Sequence, residues 1–291
     1  MEACASLSIA YTPDSDDAFY YDALEQGRVR LRGFRPSFVR APMMVLNRDA
    51  LGGVHAVTAI SSVVYPAVAD RYAILSVGTS VGRGYGPVLV SRSGLVLKDL
   101  RGRKVGVGGI PTTGWFLLQT LFPGAIAVEM PFDAIGGAVA CGELDAGVMI
   151  HEELLYYPKL GLSKVADLGA LWCERNGLPL PVGLNLVRRD LGNAAMQRIC
   201  AAIRRSLRFS LASPESALSR VRLLARDGNS GCTDQFVSMF ANRDSLRMPD
   251  DVRAALRVLC TQVVDAGIAD AVPPFDIVEG HTSPKRSTRM I

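Results

Sequence analysis

Short apolar runs alternate with amphipathic stretches along most of the chain. Residues 6–11, SLSIAY, predict a strand, and 16–27, DDAFYYDALEQG, a helix with acids in its first turn and glycine at its end. FRPSFV (34–39) is a poorer strand, and PMMVLNRDALGG (42–53) is a helix that starts on proline and closes on glycine. HAVTAIS (55–61), SVVYPAVADR (62–71) and YAILSVG (72–78) then read strand, short helix, strand. This rhythm predicts an α/β fold with a mostly parallel sheet.

A strand in RGYGPVLVSR (83–92) opens a second series. Strands in RKVGVGG (103–109), AIAVEM (125–130), AGVMI (146–150) and KVADLG (164–169) alternate with helices over 111–122, 133–144 and 152–161. PLPVGLNLVRRDLG (179–192) predicts a long strand leaving that series, and helices follow over 194–213 and from Pro214, Thr233 and Asp250. Two α/β units joined by two strand-like crossings, near Gly86–Ser91 and Gly183–Arg188, imply two lobes with a cleft between them. The expected division is a larger discontinuous lobe, 1–88 and 187–291, and a smaller one, 89–186. The polar, basic end, HTSPKRSTRMI (281–291), is expected to fray.

A hydrophobic content of 49% over 291 residues supports a real core. The net charge of +4 suits an anionic ligand, yet no dense basic stripe with interleaved aromatics marks a nucleic-acid binder. Six cysteines stand singly, with no CxxC pair and no zinc-ligand spacing to histidine, which points to a reducing, cytoplasmic setting. No signal-peptide pattern and no membrane-length apolar run is read, so a soluble protein without a membrane partner is expected.

His151, one of three histidines, follows a strand and opens a helix, a place that faces a cleft. The helix dipole there would lower its pKa and favour a neutral general base; a capping or core histidine is the alternative. In GGIPTTGWFLL (108–118), glycines lead to Thr112 and Thr113 at a helix start, a seat for a carboxylate or phosphate, or an ordinary cap. GVGG (106–109) fails the dinucleotide fingerprint at Pro111, so no NAD is expected. Asp14, Ser15, Asp16 and Asp17, between the first strand and helix, either bind substrate hydroxyls or complement the helix dipole. They lack the EF-hand pattern, and no metal is expected. Ser61 ends the third strand on the cleft side, and Arg83, between glycines, either clamps a carboxylate or is a solvated loop cation.

VGRGYGP (81–87), TTGWFLL (112–118), GELDAGVMIHE (142–152), YPKLGLSKVADLGALWCERNGLPLPVG (157–183) and RRDLG (188–192), in this order, resemble the 1,4-dihydroxy-6-naphthoate synthase (MqnD) family of the futalosine route to menaquinone. The resemblance implies a two-lobed fold similar to class II periplasmic solute-binding proteins. It implies a cofactor-independent carbon–carbon lyase that cleaves cyclic dehypoxanthinyl futalosine, a small carboxylated substrate. The family's base falls on His151, its threonine pair on Thr112 and Thr113, and its strand-end serine on Ser61. On this expectation Asp14 and Asp16 grip sugar hydroxyls. Asp16 stands where the family has asparagine, Ala59 where it has lysine and Pro111 where it has histidine. These departures would weaken attraction for an anion. A paralogue acting on another carboxylated, hydroxylated substrate, or a non-catalytic solute-binding protein, are the alternatives.

Overall fold

The computed structural model describes residues 5–92, 94–96, 100–224 and 230–280. The expected fraying of 281–291 lies outside these residues. The first sheet contains β1 (Ala5–Tyr11), β2 (Phe34–Arg40), β3 (Val57–Ser61), β4 (Tyr72–Leu75) and β5 (Ser80–Gly82). The second contains β6 (Val88–Ser91), β7 (Lys104–Val107), β8 (Ile126–Glu129), β9 (Ala146–Met149) and β10 (Ser163–Asp167). The chain then returns to the first sheet through β11 (Leu180–Arg188), and β12 (Ile277–Val278) finishes that sheet at an edge.

Burial explains the strand order, β12-β4-β11-β3-β1-β2 with β5 on β11. Every residue of β3 is buried, as a central strand covered on both faces requires, whereas β2 has no buried residue and forms the other edge. In the first lobe, α1 (Ser15–Glu25) and α2 (Met43–Gly52) follow β1 and β2, and α3 (Tyr65–Val68) follows β3. The second sheet runs β10-β6-β9-β7-β8. Its helices α4 (Thr113–Leu121), α5 (Phe132–Cys141), α6 (Glu153–Tyr156) and α7 (Leu168–Asn176) alternate with the strands. A helical segment follows: α8 (Asn193–Ala212), α9 (Pro214–Leu224), α10 (Ser230–Phe240), α11 (Arg243–Leu246) and α12 (Asp250–Asp265). None of the helices in the described residues is long and apolar enough to cross a membrane.

Two expectations need correction. The sheets are mixed rather than mostly parallel. β11 is antiparallel to β3 and β4, and β6 is antiparallel to β9 and β10. The reason is connectivity: β1, β3, β7 and β9 end at the cleft, whereas β6 and β11 enter their sheets from it. The lobe boundaries also move. Val88 already pairs in the second sheet, and β11 pairs in the first from Leu180 onwards. The linkers are therefore 83–87 and 177–179, not 86–91 and 183–188. At its start, Leu180–Val182, β11 carries no polar residue that could mark the boundary.

The linkers are held tightly. Gly86 lies against Gly169 in the first turn of α7, and a Cβ on Gly169 would stand 2.5 Å from both Cα and N of Gly86. Backbone cannot yield as a side-chain tip can. Gly169→Ala is expected to cost about 1–3 kcal/mol, as overpacking does, read as a lower urea midpoint at unchanged m.

Candidate active site

The carboxyl ends of β1, β3 and β9 and the start of α4 converge on one cleft between the lobes, the usual place for a ligand in such sheets. The space between its walls is about 720 Å³, solvent at its mouth included. Asp16, Asp17, Ser61, Thr112, Thr113 and His151 all line it. No lysine or arginine is among the described lining residues.

His151 occupies the turn between β9 and α6 with φ of 54°, the left-handed region that a side chain of this size rarely adopts. Such strain, of order 1–3 kcal/mol, concentrates where geometry serves function. Across the cleft, Asp14 stands at the N-cap position of α1, where its side chain makes no capping hydrogen bond, and its carboxylate lies 2.9 Å from Nδ1 of His151. Phe132 packs edge-on against the ring, with 4.7 Å between centroids. Nε2 is buried with no hydrogen-bond partner. When the ring is neutral, Asp14 thus favours the tautomer with its proton on Nδ1, which leaves Nε2 as the acceptor.

The expected lowering of the His151 pKa is not found. Burial disfavours the imidazolium, but the carboxylates of Asp14, Glu153 and Glu152 outweigh it and push the pKa up to about 9. The dipole of a four-residue helix is weak beside three close carboxylates. Asp14 is likewise not on the cleft lining; it stands behind the imidazole.

Asp16 and Asp17 occupy the first turn of α1. Asp17 accepts hydrogen bonds from the backbone N–H and hydroxyl of Thr12, at 3.0 and 2.7 Å. Burial, opposed by those bonds, and the Asp14 charge push its pKa up to about 6. Asp16 accepts from the Ser80 hydroxyl at 2.9 Å. Burial, followed by the charges of Asp17 and Asp14, raises its pKa well above the usual carboxyl range. Among the described residues no group of His, Cys, Asp and Glu is arranged to hold a metal ion.

Thr112 is the cap of α4. Its hydroxyl accepts from Trp115 N–H at 3.2 Å and donates to the Gly109 carbonyl at 2.9 Å. The Thr113 hydroxyl donates to the Val182 carbonyl at 2.7 Å. The N–H groups of Thr113 and Gly114, in the first turn, have no partner within the helix, and both residues line the cleft. Ser61 is fixed by Asn47, whose Oδ1 accepts the Ser61 N–H at 2.9 Å, while Asn47 Nδ2 donates to the Pro111 carbonyl at 2.9 Å. Arg83 is absent from the cleft lining. Its guanidinium is held by Asp244 at 2.6 Å and Asp251 at 2.8 Å. Both partners are distant in sequence, so the loop context alone suggested a free cation.

Asn47, Ser80, Asn185 and Glu152 were not anticipated. Asn185 lines the cleft, accepts from the Tyr21 hydroxyl at 2.6 Å and donates to the Gly78 carbonyl at 2.7 Å. A lone polar side chain inside the apolar run LPVGLNLV was the available signal for it, and Asn47 in MMVLNRDAL gave a similar one.

A family model described as menaquinone biosynthesis matches residues 7–264. The chain is 38% identical over 269 residues to a 1,4-dihydroxy-6-naphthoate synthase from Thermus thermophilus, covering 92% of this chain and 97% of that one. It is 35% identical over 276 residues to the enzyme of that name from Streptomyces coelicolor, covering 92% and 96%. Among solved structures, protein AF1704 from Archaeoglobus fulgidus superposes with a TM-score of 0.87 at 38% identity, over 90% of this chain and 98% of that one. The periplasmic aliphatic sulphonate binding protein SsuA from Escherichia coli shares the fold, with a TM-score of 0.67 at 13% identity over 98% and 97% of the two chains. The two-lobed architecture is therefore that of periplasmic binding proteins, and the chain belongs to the menaquinone biosynthesis family that its sequence motifs resemble.

Proposed function

We propose that this protein is a carbon–carbon lyase that cleaves cyclic dehypoxanthinyl futalosine to 1,4-dihydroxy-6-naphthoate, with His151 as the general base. The observation that carries this is the Asp14–His151 pair: Nδ1 held by a carboxylate and Nε2 without a hydrogen-bond partner, on a residue that lines the cleft between the lobes. The similarity to two enzymes of that name supports the substrate.

In a retro-aldol step Nε2 takes the proton of a substrate hydroxyl. The oxygen's electrons form a carbonyl, the adjacent carbon–carbon bond breaks, and its electron pair becomes the enolate of a neighbouring ketone. Asp14 stabilises the imidazolium that results, and that imidazolium can return the proton. The first-turn N–H groups of α4 seat the substrate carboxylate, a role that suits a helix N-terminus. Asp16 and Ser61 meet the sugar-derived hydroxyls. Arg83, neutralised by two carboxylates outside the cleft, has no part in binding.

Only the neutral imidazole can accept a proton, and its pKa is about 9. The kcat/KM profile is therefore expected to rise with pH and to bend to a plateau near pH 9. A profile already flat from pH 6 would remove His151 as the base. Turnover of the purified protein with the cyclic intermediate, followed by release of the naphthoate, tests the reaction itself.

One observation favours a second reading, a paralogue with a less anionic substrate. The described cleft lining contains Asp16 and Asp17 and no lysine or arginine. Comparing the carboxylate substrate with its carboxamide decides this: faster turnover of the carboxamide would support the paralogue.

A further inference from the structure

Two consecutive residues on each lobe meet across the cleft. Asp14 faces Nδ1 of His151 at 2.9 Å, and the next pair, Ser15 and Glu152, is joined by a hydrogen bond of 3.0 Å from Ser15 N–H to Glu152 Oε1. Ser15 is the first residue of α1, so Glu152 places a carboxylate on that helix's N-terminus from the opposite lobe. Both linkers lie elsewhere, at 83–87 and 177–179. This two-by-two contact is therefore a closure point rather than a hinge.

We propose that Glu152 is a positioning residue for His151: by holding the Ser15 N–H across the cleft it keeps Asp14 on the imidazole, so the base is assembled when the lobes close. This rests on His151 as the base for its kinetic consequence, but not for its geometry. The pair 14–151 cannot remain in contact if the lobes part, because its two residues belong to different lobes. Substrate binding between the lobes would favour the same closed arrangement, which couples binding to formation of the base.

The test uses Ser15→Pro in the full chain. Proline is favoured at the first position of a helix, and Asp14 already has φ of −74° and ψ of 157°, a conformation compatible with a following proline. The substitution removes the N–H by which α1 meets Glu152 and leaves every charge facing the ring in place: Asp14, Asp16 and Asp17 from the α1 side, Glu152 and Glu153 from the start of α6. Two measurements need no substrate. These are the radius of gyration by solution scattering and the titration of the His151 ring by NMR, assigned with His151→Ala.

The expected result is a larger radius of gyration and a His151 pKa that falls from about 9 towards 6.5. The value of kcat/KM for the cyclic intermediate should fall about tenfold to a hundredfold, the worth of one hydrogen bond to a charged group. Glu152→Ala should do the same, Glu152→Gln should recover most of the loss through its amide oxygen, and Ser15→Pro with Glu152→Ala should be no worse than either alone. The proposal is overturned if Ser15→Pro leaves the scattering and the titration at parental values, or if the two losses multiply. Should circular dichroism show Ser15→Pro unfolded, equal His151 titrations in Glu152→Ala and Glu152→Gln would overturn it instead. Failure of the cyclic intermediate to turn over in the parent would sink the proposed reaction and leave the scattering and NMR results to stand by themselves.

Discussion

Replacing His151 with alanine is expected to lower kcat by about 10²- to 10⁴-fold, the usual contribution of a positioned general base. KM should change little, because the proposed carboxylate seat on α4 and the proposed hydroxyl contacts of Asp16 and Ser61 are residues other than His151. Two further consequences separate loss of a base from general damage. The bend of the pH profile near 9 should disappear with the ring. Stability should not collapse either, since alanine relieves none of the fold's contacts except Phe132 against the imidazole and the Asp14 pair. A His151→Ala protein within about tenfold of the parent would end the base assignment.

Asp14→Asn should be as severe, about 10³- to 10⁴-fold in kcat, by analogy with the aspartate of a serine-protease triad, whose amide replacement favours the wrong tautomer. An asparagine side chain can present its N–H₂ to Nδ1, which places the ring proton on Nε2, where the acceptor is needed. The variant should also bring the His151 pKa down from about 9, because the nearest carboxylate is gone. The linkage sign follows. A histidine whose folded pKa is raised from 6.5 to about 9 contributes stability that is fully present below pH 6.5 and is lost as pH rises through about 9. Urea melts of parent and Asp14→Asn should therefore differ more at pH 6 than at pH 10. An equal difference at both would mean that the pair is not charged in the folded protein.

Much of the framework was legible because it is local. The β1–α1 unit followed from alternation in SLSIAY and from acids ahead of an apolar run, and both elements are observed, at Ala5–Tyr11 and Ser15–Glu25. A threonine cap for α4, Thr112 or Thr113, was readable because a cap and the N–H it accepts lie within one turn; the cap is Thr112, which accepts from Trp115 three residues on. Less was legible where the determinant is remote. The expected helix over 152–161 is only α6, followed by a 3-10 turn over Tyr157–Leu160, because Pro158 lacks the N–H that would continue it. The return to the first lobe at Leu180 leaves no mark in an apolar run that suits either sheet.

The candidate site divides in the same way. The order of elements, the position of His151 at a strand end and the polar residues at the neighbouring strand ends are properties of short segments, and the sequence alone determined them. Tertiary structure alone decided their chemistry. It placed Asp14 behind the imidazole rather than on the cleft lining, held Arg83 in ion pairs with Asp244 and Asp251, and turned a histidine expected to be neutral into one with a pKa of about 9. The physical reason is range. Periodicity and capping depend on neighbours within about one helical turn. A protonation state depends on burial and on charges brought close by folding, here between residues as far apart in the chain as Ser15 and Glu152 are.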